Sequence, residues 1–252
     1  MLNLGHLRNI TLEVYGYMDI QIFDTPIQAS KQAFTLFEQA LGEGANVFGL
    51  ATGSTPVTLY DLLVKSNLDF SQATAINLDE YCGLPADHPQ SYATFMKEHL
   101  FNAKPFKASY IPNGLAEDPD AEAARYEGLI DENPVDLQIL GLGKNGHIGF
   151  NEPGAKRDSV THLTKLTDST IQANARFFDT IDQVPTHAIS MGIASILKAK
   201  HIVLLAFGAN KAQAVKAMIE GPITSDVPAS FLQEHPHVTV LLDTEAASLL
   251  SE

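Results

Sequence analysis

Short apolar runs alternate with longer mixed stretches along this chain of 252 residues. Asp19–Phe23 (DIQIF), Asn46–Leu50 (NVFGL), Ala73–Leu78, Asp136–Leu140, His201–Phe207 (HIVLLAF) and Val238–Leu242 read as strands. Thr25 and Pro26 open an amphipathic helix that runs to about Leu41. Further helices are predicted over Pro56–Lys65, Ser91–Leu100, Asp120–Glu132, His187–Lys198 and Lys211–Glu220. The strand runs are apolar nearly throughout, so both of their faces are buried. Apolar strands alternating with helices imply an α/β fold: a mostly parallel sheet with helices on both faces. Residues 1–17 precede the first clear strand and read as a poorly ordered extension, which leaves 18–252 as a single domain. No internal repeat, low-complexity tract or linker interrupts it.

Composition then narrows the function classes. The formal net charge is −14, with no basic stripe to supply the electrostatic attraction that nucleic acid or an anionic membrane requires. Hydrophobic residues at 45% and charged residues at 18% suit an ordinary globular domain. The single cysteine, Cys82, excludes an internal disulfide and a cysteine-cluster metal site, and reads as a small buried apolar residue. No apolar run reaches the ~18 residues of a membrane span, and the first residues lack a signal-peptide core. A cytoplasmic location is the expectation.

Residues 139–154, ILGLGKNGHIGFNEPG, are the most informative stretch. A buried strand empties into Gly141, Gly143 and Gly146, followed by His147 and Glu152. Open α/β sheets build sites in this way, at the carboxyl ends of their strands. His147 can move protons near neutral pH, and Glu152 is close enough in sequence to orient it. The glycines formally match the dinucleotide fingerprint, which needs a long helix after the last of them. Gly149, Pro153 and Gly154 forbid that helix. The plainer alternative is a tight turn with a structural histidine.

Two other strand-to-helix turns carry phosphate-binding chemistry. In ATGSTP (51–56), Thr52, Ser54 and Thr55 offer hydroxyls beside Gly53, and free N–H groups at a helix start favour phosphate. N-capping by Ser54 or Thr55 is the alternative. The turn is not a Walker A loop, for no Gly-Lys-Ser/Thr follows. The turn 207–211 (FGANK) presents Lys211 at the start of another helix. Together they point to a phosphorylated small molecule. Asp79 and Glu80 follow directly on a buried strand, where a carboxylate is costly unless hydrogen-bonded or used as a base. Solvated loop acids are the alternative. The histidines have no metal-ligand spacing, so neither a metal nor a cofactor is expected.

Taken together, LATGSTP (50–56), NLDEYCGLPADHPQSY (77–92), GLGKNGHIGFNEPG (141–154), NARFFD (174–179), FGANKAQAV (207–215) and VTVLLD (238–243) resemble the glucosamine-6-phosphate deaminase family. The resemblance runs from about Met18 to Asp243 and implies a Rossmann-like domain with a mobile helical lid at about 162–187. It implies conversion of glucosamine 6-phosphate and water to fructose 6-phosphate and ammonia. On this resemblance Asp79 is the base that moves a proton between C2 and C1. His147 opens the pyranose ring, and Glu152 is its carboxylate partner. Asn145 stands where some members have Asp, which removes a negative charge near His147. The turn 52–55 (Thr52, Gly53, Ser54, Thr55), Arg176 and Lys211 fall at or near phosphate-contacting positions.

Allosteric hexameric members carry basic residues just beyond the catalytic loop and a longer C-terminus. The matching positions here are His162 and Thr164, and the chain ends at Glu252. A monomer or small homo-oligomer without regulation by N-acetylglucosamine 6-phosphate is therefore expected. Two rival readings remain: a 6-phosphogluconolactonase-like hydrolase, which does not need Asp79 as a carbon base, and a catalytically inactive sugar-phosphate sensor.

Overall fold

The computed structural model describes residues 8–9, 18–167, 170–172, 175 and 178–251. Its centre is an eight-stranded sheet. In chain order its strands are β1 (Arg8–Asn9), β2 (Met18–Phe23), β3 (Val47–Leu50), β4 (Thr74–Asn77), β6 (Ala108–Tyr110), β7 (Leu137–Gly141), β10 (His201–Ala206) and β11 (Val238–Asp243). Their spatial order is β1-β2-β11-β10-β7-β3-β4-β6. Every pairing is parallel except β1 with β2. A second, three-stranded antiparallel sheet joins β5 (Asp79–Tyr81), β9 (His187–Ser190) and β8 (His162–Lys165) in the order β5-β9-β8.

Apolar residues dictate the main sheet. All of β3 and β11 is buried, as is all of β10 beyond His201. Strands covered on both faces carry Val, Ile and Leu without alternation. Helix α1 (Pro26–Gly42) begins in a capping box: Thr25 Oγ1 accepts from Gln28 N, and Thr25 N donates to Gln28 Oε1. Its Phe37 stacks on Phe48 of β3 at 5.2 Å, and Phe70 meets both ring edges. The other helices are α2 (Val57–Lys65), α3 (Tyr92–Met96, continued by a π-helical turn over Lys97–Phe101), α4 (Pro119–Glu132), α5 (Ile193–Ile196) and α6 (Ala212–Glu220).

Two differences from the sequence-based expectation are physical in origin. His187–Lys198, expected as one helix, is strand β9 followed by the short α5. The HAIS run pairs with β5 on one edge and β8 on the other. Gly192 then turns the chain against Ser159, where an added Cβ would sit 2.2 Å from Ser159 O. Strands β5, β6 and β8 were not expected, because each is short and none is a continuous apolar run. Within the expected N-terminal extension, Arg8–Asn9 pair with Ile22 and Gln21.

One carboxylate ties the small sheet to the domain. Glu127 on α4 accepts from Thr161 N at 2.9 Å, Thr161 Oγ1 at 2.6 Å, Ser195 Oγ at 2.7 Å and Lys198 Nζ at 2.6 Å. Burial pushes its carboxyl up, but these donors outweigh that and hold it at about 2. Because the folded pKa is depressed, its stabilisation is present above the ordinary glutamate range and is lost as pH falls toward 2. Glu127→Ala is expected to cost about 2 kcal/mol or more at pH 7, since hydrogen bonds to a charged group contribute about 1.5–3 kcal/mol and the donors are left unpaired. Urea denaturation at pH 7 and pH 3 checks this: the deficit should shrink at the lower pH, and an equal deficit at both would contradict it.

Candidate active site

From β3 the chain winds one way, to β4 and β6; from β7 it winds the other way, to β10 and β11. The loops leaving β3 and β7 therefore diverge, and a crevice opens at their carboxyl ends. A cavity of about 620 Å³ fills it. Thr52 and Thr55 line it from the loop after β3, and Gly143, Lys144, Asn145 and His147 from the loop after β7. Asp79, Tyr81 and Tyr92 close one side, while Phe150, Thr170 and Lys211 complete the wall.

Asp79 reaches the cavity because the chain changes sheets there. Leu78 N still donates to Leu50 O of β3, while Leu78 O accepts from Met191 N. The next residue begins β5, opposite Ser190. Alternation along β5 then separates the two acids. Glu80 points away and accepts from Tyr81 N, Tyr92 N and Ala93 N at 2.8–2.9 Å, which fixes the start of α3 and hence Tyr92. The Tyr92 hydroxyl is hydrogen-bonded to Tyr81 and Thr52. Asp79 is 7% exposed, and among the described residues nothing donates to its carboxyl. Burial, with the charge of Glu80 added, pushes that carboxyl up to about 8. Gly149, at φ +57°, passes close by: an added Cβ would sit 3.7 Å from Asp79 Oδ2.

The second constellation is His147, Asn145 and Glu152. Asn145 Nδ2 donates to Glu152 Oε2 at 2.6 Å, and Asn145 Oδ1 lies 2.7 Å from His147 Nδ1. A carboxylate only accepts, so the Asn145 amide nitrogen must face it and the amide oxygen must face the histidine. His147 Nδ1 is therefore the protonated nitrogen, and Nε2 is left to exchange protons with a ligand. Glu152 Oε2 stands 3.5 Å from His147 Nδ1, behind Asn145 rather than in direct hydrogen bond. Burial pushes Glu152 up, yet His147, Asn145 and Thr170 together hold it at about 2. The imidazole packs on Gly143, where a Cβ would lie 2.3 Å from Nδ1, so that position admits glycine alone.

The expected phosphate turns are only partly realised. Thr52 and Thr55 line the cavity; Gly53, at φ +88°, and Ser54 are exposed and do not. Helix α2 starts one residue later than expected, with Pro56 as its N-cap and no side-chain cap among the described residues. Capping is therefore not what Ser54 and Thr55 do. Lys211 is half-buried, and its ammonium donates to Leu142 O at 2.6 Å. Burial and the nearby charge of Lys144 hold its pKa below the usual lysine value. An anion between the two lysines relieves that repulsion. Arg176 lies outside the described residues. Of the stretch 162–187 expected to form a lid, the described part holds β8, a helical segment at 170–172 and a 3₁₀ turn over Ile181–Gln183.

The sequence reading gave no role to Tyr92, Lys144 or Phe150, which lie within the quoted motifs, nor to Thr170, which lies outside them. Cys82, expected to be buried, is partly exposed and free. No described helix is long and apolar enough to cross a membrane, and no described group of three or more His, Cys, Asp or Glu is placed to hold a metal ion.

An α/β domain with an acid–base cavity at its topological switch point defines a class of small-molecule enzymes, and the comparisons place this chain within it. The profile described as glucosamine-6-phosphate isomerases/6-phosphogluconolactonase matches residues 27–241. The glucosamine-6-phosphate deaminase of Oenococcus oeni is 58% identical over 235 residues, covering 93% of this chain and 100% of that protein. The solved structure of a monomeric glucosamine-6-phosphate deaminase is 45% identical, with a TM-score of 0.88 over 92% of this chain and 99% of its own. A 6-phosphogluconolactonase from Trypanosoma cruzi, 21% identical with a TM-score of 0.77 over 92% of this chain and 97% of its own, shares the fold. The chain belongs to the glucosamine-6-phosphate deaminase family.

The geometry makes a prediction about stability. Because the folded pKa of Asp79 is raised, the neutral form is favoured in the folded state, and the group becomes destabilising as pH rises from its ordinary value of 3.8 through about 8. Asp79→Asn keeps the shape and stays neutral. It should raise the melting temperature by several degrees at pH 8 and leave it nearly unchanged at pH 4. Calorimetry at both pH values checks this, and a lower melting temperature at pH 8 would contradict it.

Proposed function

We infer that the protein is a glucosamine-6-phosphate deaminase, converting glucosamine 6-phosphate and water to fructose 6-phosphate and ammonia. The observation that carries this reading is that one cavity brings together Asp79, a buried carboxyl without a donor among the described residues, Lys211, and His147 and Asn145, the latter bonded to Glu152 behind the wall. The full-length likeness to deaminases supports it. The lactonase likeness is of fold alone.

The groups divide the work. Lys211, Lys144 and the Thr52–Thr55 turn take the phosphate, and Arg176 joins them in this reading. His147 Nε2 removes the proton of the C1 hydroxyl and returns it to the ring oxygen, so the C1–O5 bond breaks and an open-chain aldehyde forms. Glu152, through Asn145, holds the imidazole in the tautomer this requires and favours its transient positive charge. Asp79 then takes the proton from C2 and delivers it to C1. An amino-group proton passes to O1, so the aldehyde with a C2 amine becomes a C2 imine beside a C1 hydroxyl; water then adds to C2, and the C2–N bond of the adduct breaks to release ammonia and leave the C2 ketone. An acid whose carboxyl burial pushes up to about 8 is a strong enough base for a carbon-bound proton. The cationic amino group of the substrate, arriving next to it, favours its ionised form. A monomer or small oligomer in the cytoplasm, without effector control, belongs to the same reading. The 45%-identical relative, itself monomeric, supports the oligomeric state.

Purified protein should release one ammonia per fructose 6-phosphate formed, with no added metal or nucleotide, and EDTA should leave the rate unchanged. A coupled assay for both products tests this. Hydrolysis of 6-phosphogluconolactone in place of ammonia release would contradict it.

A further inference from the structure

Glu152 has a donor on each oxygen, and the two come from different parts of the chain. Asn145 holds Oε2 from within the same loop. Thr170 Oγ1, eighteen residues further on, donates to Oε1 at 2.8 Å. The direction of that bond follows from chemistry. The carboxylate can only accept, so the single Thr170 hydroxyl proton goes to Glu152. The Thr167 hydroxyl, 3.0 Å from Thr170 Oγ1, must then be the donor to Thr170. Thr170 N donates back to Thr167 Oγ1 at 3.3 Å, and Ile171 N donates to Thr167 O at 2.9 Å. Thr170 is thus held in a small hydrogen-bonded turn that aims its hydroxyl at the carboxylate.

The terminal torsion of a glutamate is soft, with a broad, roughly two-fold profile. A donor on one oxygen leaves the carboxylate free to rock about that bond; a donor on each fixes its plane. The plane of Glu152 sets the direction of the Asn145 amide, and that amide sets the tilt and tautomer of His147. In this chain the intermediary is a neutral amide, so the alignment of the relay rests on hydrogen-bond geometry rather than on a second charge.

We propose that Thr170 is a positioning residue for ring opening: its hydroxyl locks the Glu152 carboxylate and, through Asn145, the proton-exchanging face of His147. The proposal rests on the deaminase reading above. It assigns Thr170 no contact with the reacting atoms.

The test compares wild type with Thr170→Val, which keeps the branched shape without the hydroxyl, and with Thr170→Ser, which keeps the hydroxyl. Three quantities are read: kcat and KM for glucosamine 6-phosphate, and inhibition by an acyclic 2-amino-2-deoxy-alditol 6-phosphate, which fills the cavity but has no ring to open. Thr170→Val should lose about 10- to 100-fold in kcat, the value of one hydrogen bond to a charged group, with KM and the alditol inhibition constant within about threefold of wild type. Thr170→Ser should stay within about threefold in all three. A Thr170→Val enzyme with wild-type kcat would overturn the proposal. So would a valine variant that loses alditol affinity in step with kcat, or a serine variant as impaired as the valine one. Wild-type protein that released no ammonia would instead overturn the reading of the reaction on which the proposal stands.

Discussion

Burial of the Asp79 carboxyl, to which nothing among the described residues donates, is the constraint around which the site is built. The carboxyl sits at the corner where the chain leaves the parallel sheet at Leu78 and enters the antiparallel one at β5. Both neighbours of that corner are committed: Leu78 bonds to both sheets, and Glu80 is occupied by three backbone N–H groups. The strand cannot roll to bring Asp79 toward solvent without breaking these contacts. The fold therefore carries an acid in an environment that opposes its charge, and the fully buried strands β3, β10 and β11 supply the stability that tolerates it.

Behind the cavity wall, bonded to its lining residues Asn145 and Thr170, stands a second carboxylate in the opposite condition. Glu152 is surrounded by donors and held at about 2, whereas Asp79 has none among the described residues and is pushed by burial to about 8. Two carboxyl groups whose environments drive them apart mark a division of labour between orienting a histidine and moving a proton on carbon. The neutral Asn145 between Glu152 and His147 is compatible with this. It passes on orientation by having one donor end and one acceptor end, which only one arrangement of the relay satisfies.

Much of this was legible in the sequence, for reasons specific to each element. The strands around Phe48, Ile139, Leu204 and Val240 are buried, largely apolar runs, and such runs announce themselves, whereas β2 around Ile20 buries only Met18 and Ile20. Thr25 with Gln28, and Ser91 with its accepted bond from Thr94 N, are local capping signals. Asp79, His147 and Glu152 stand in short motifs directly after strands, where α/β sites form. What was hidden depends on distant partners. β5, β8 and β9 are strands because they find one another in the fold, β5 and β9 across about a hundred residues, and no local pattern encodes that. In the phosphate turn, Thr52 and Thr55 line the cavity, while Gly53, in a left-handed turn, and Ser54 are exposed beside it. Thr170 and Tyr92 enter the site only through tertiary packing.

The most direct test of the account is a carboxyl titration of the ligand-free protein. With aspartate labelled with ¹³C at the side-chain carboxyl, and the Asp79 resonance assigned by its absence in Asp79→Asn, the chemical shift is followed from pH 4 to pH 9. The account predicts a midpoint near 8, far above the ordinary value of 3.8. A midpoint near 4 would show that the buried carboxyl is ionised throughout, and would contradict the claim that burial sets its basicity.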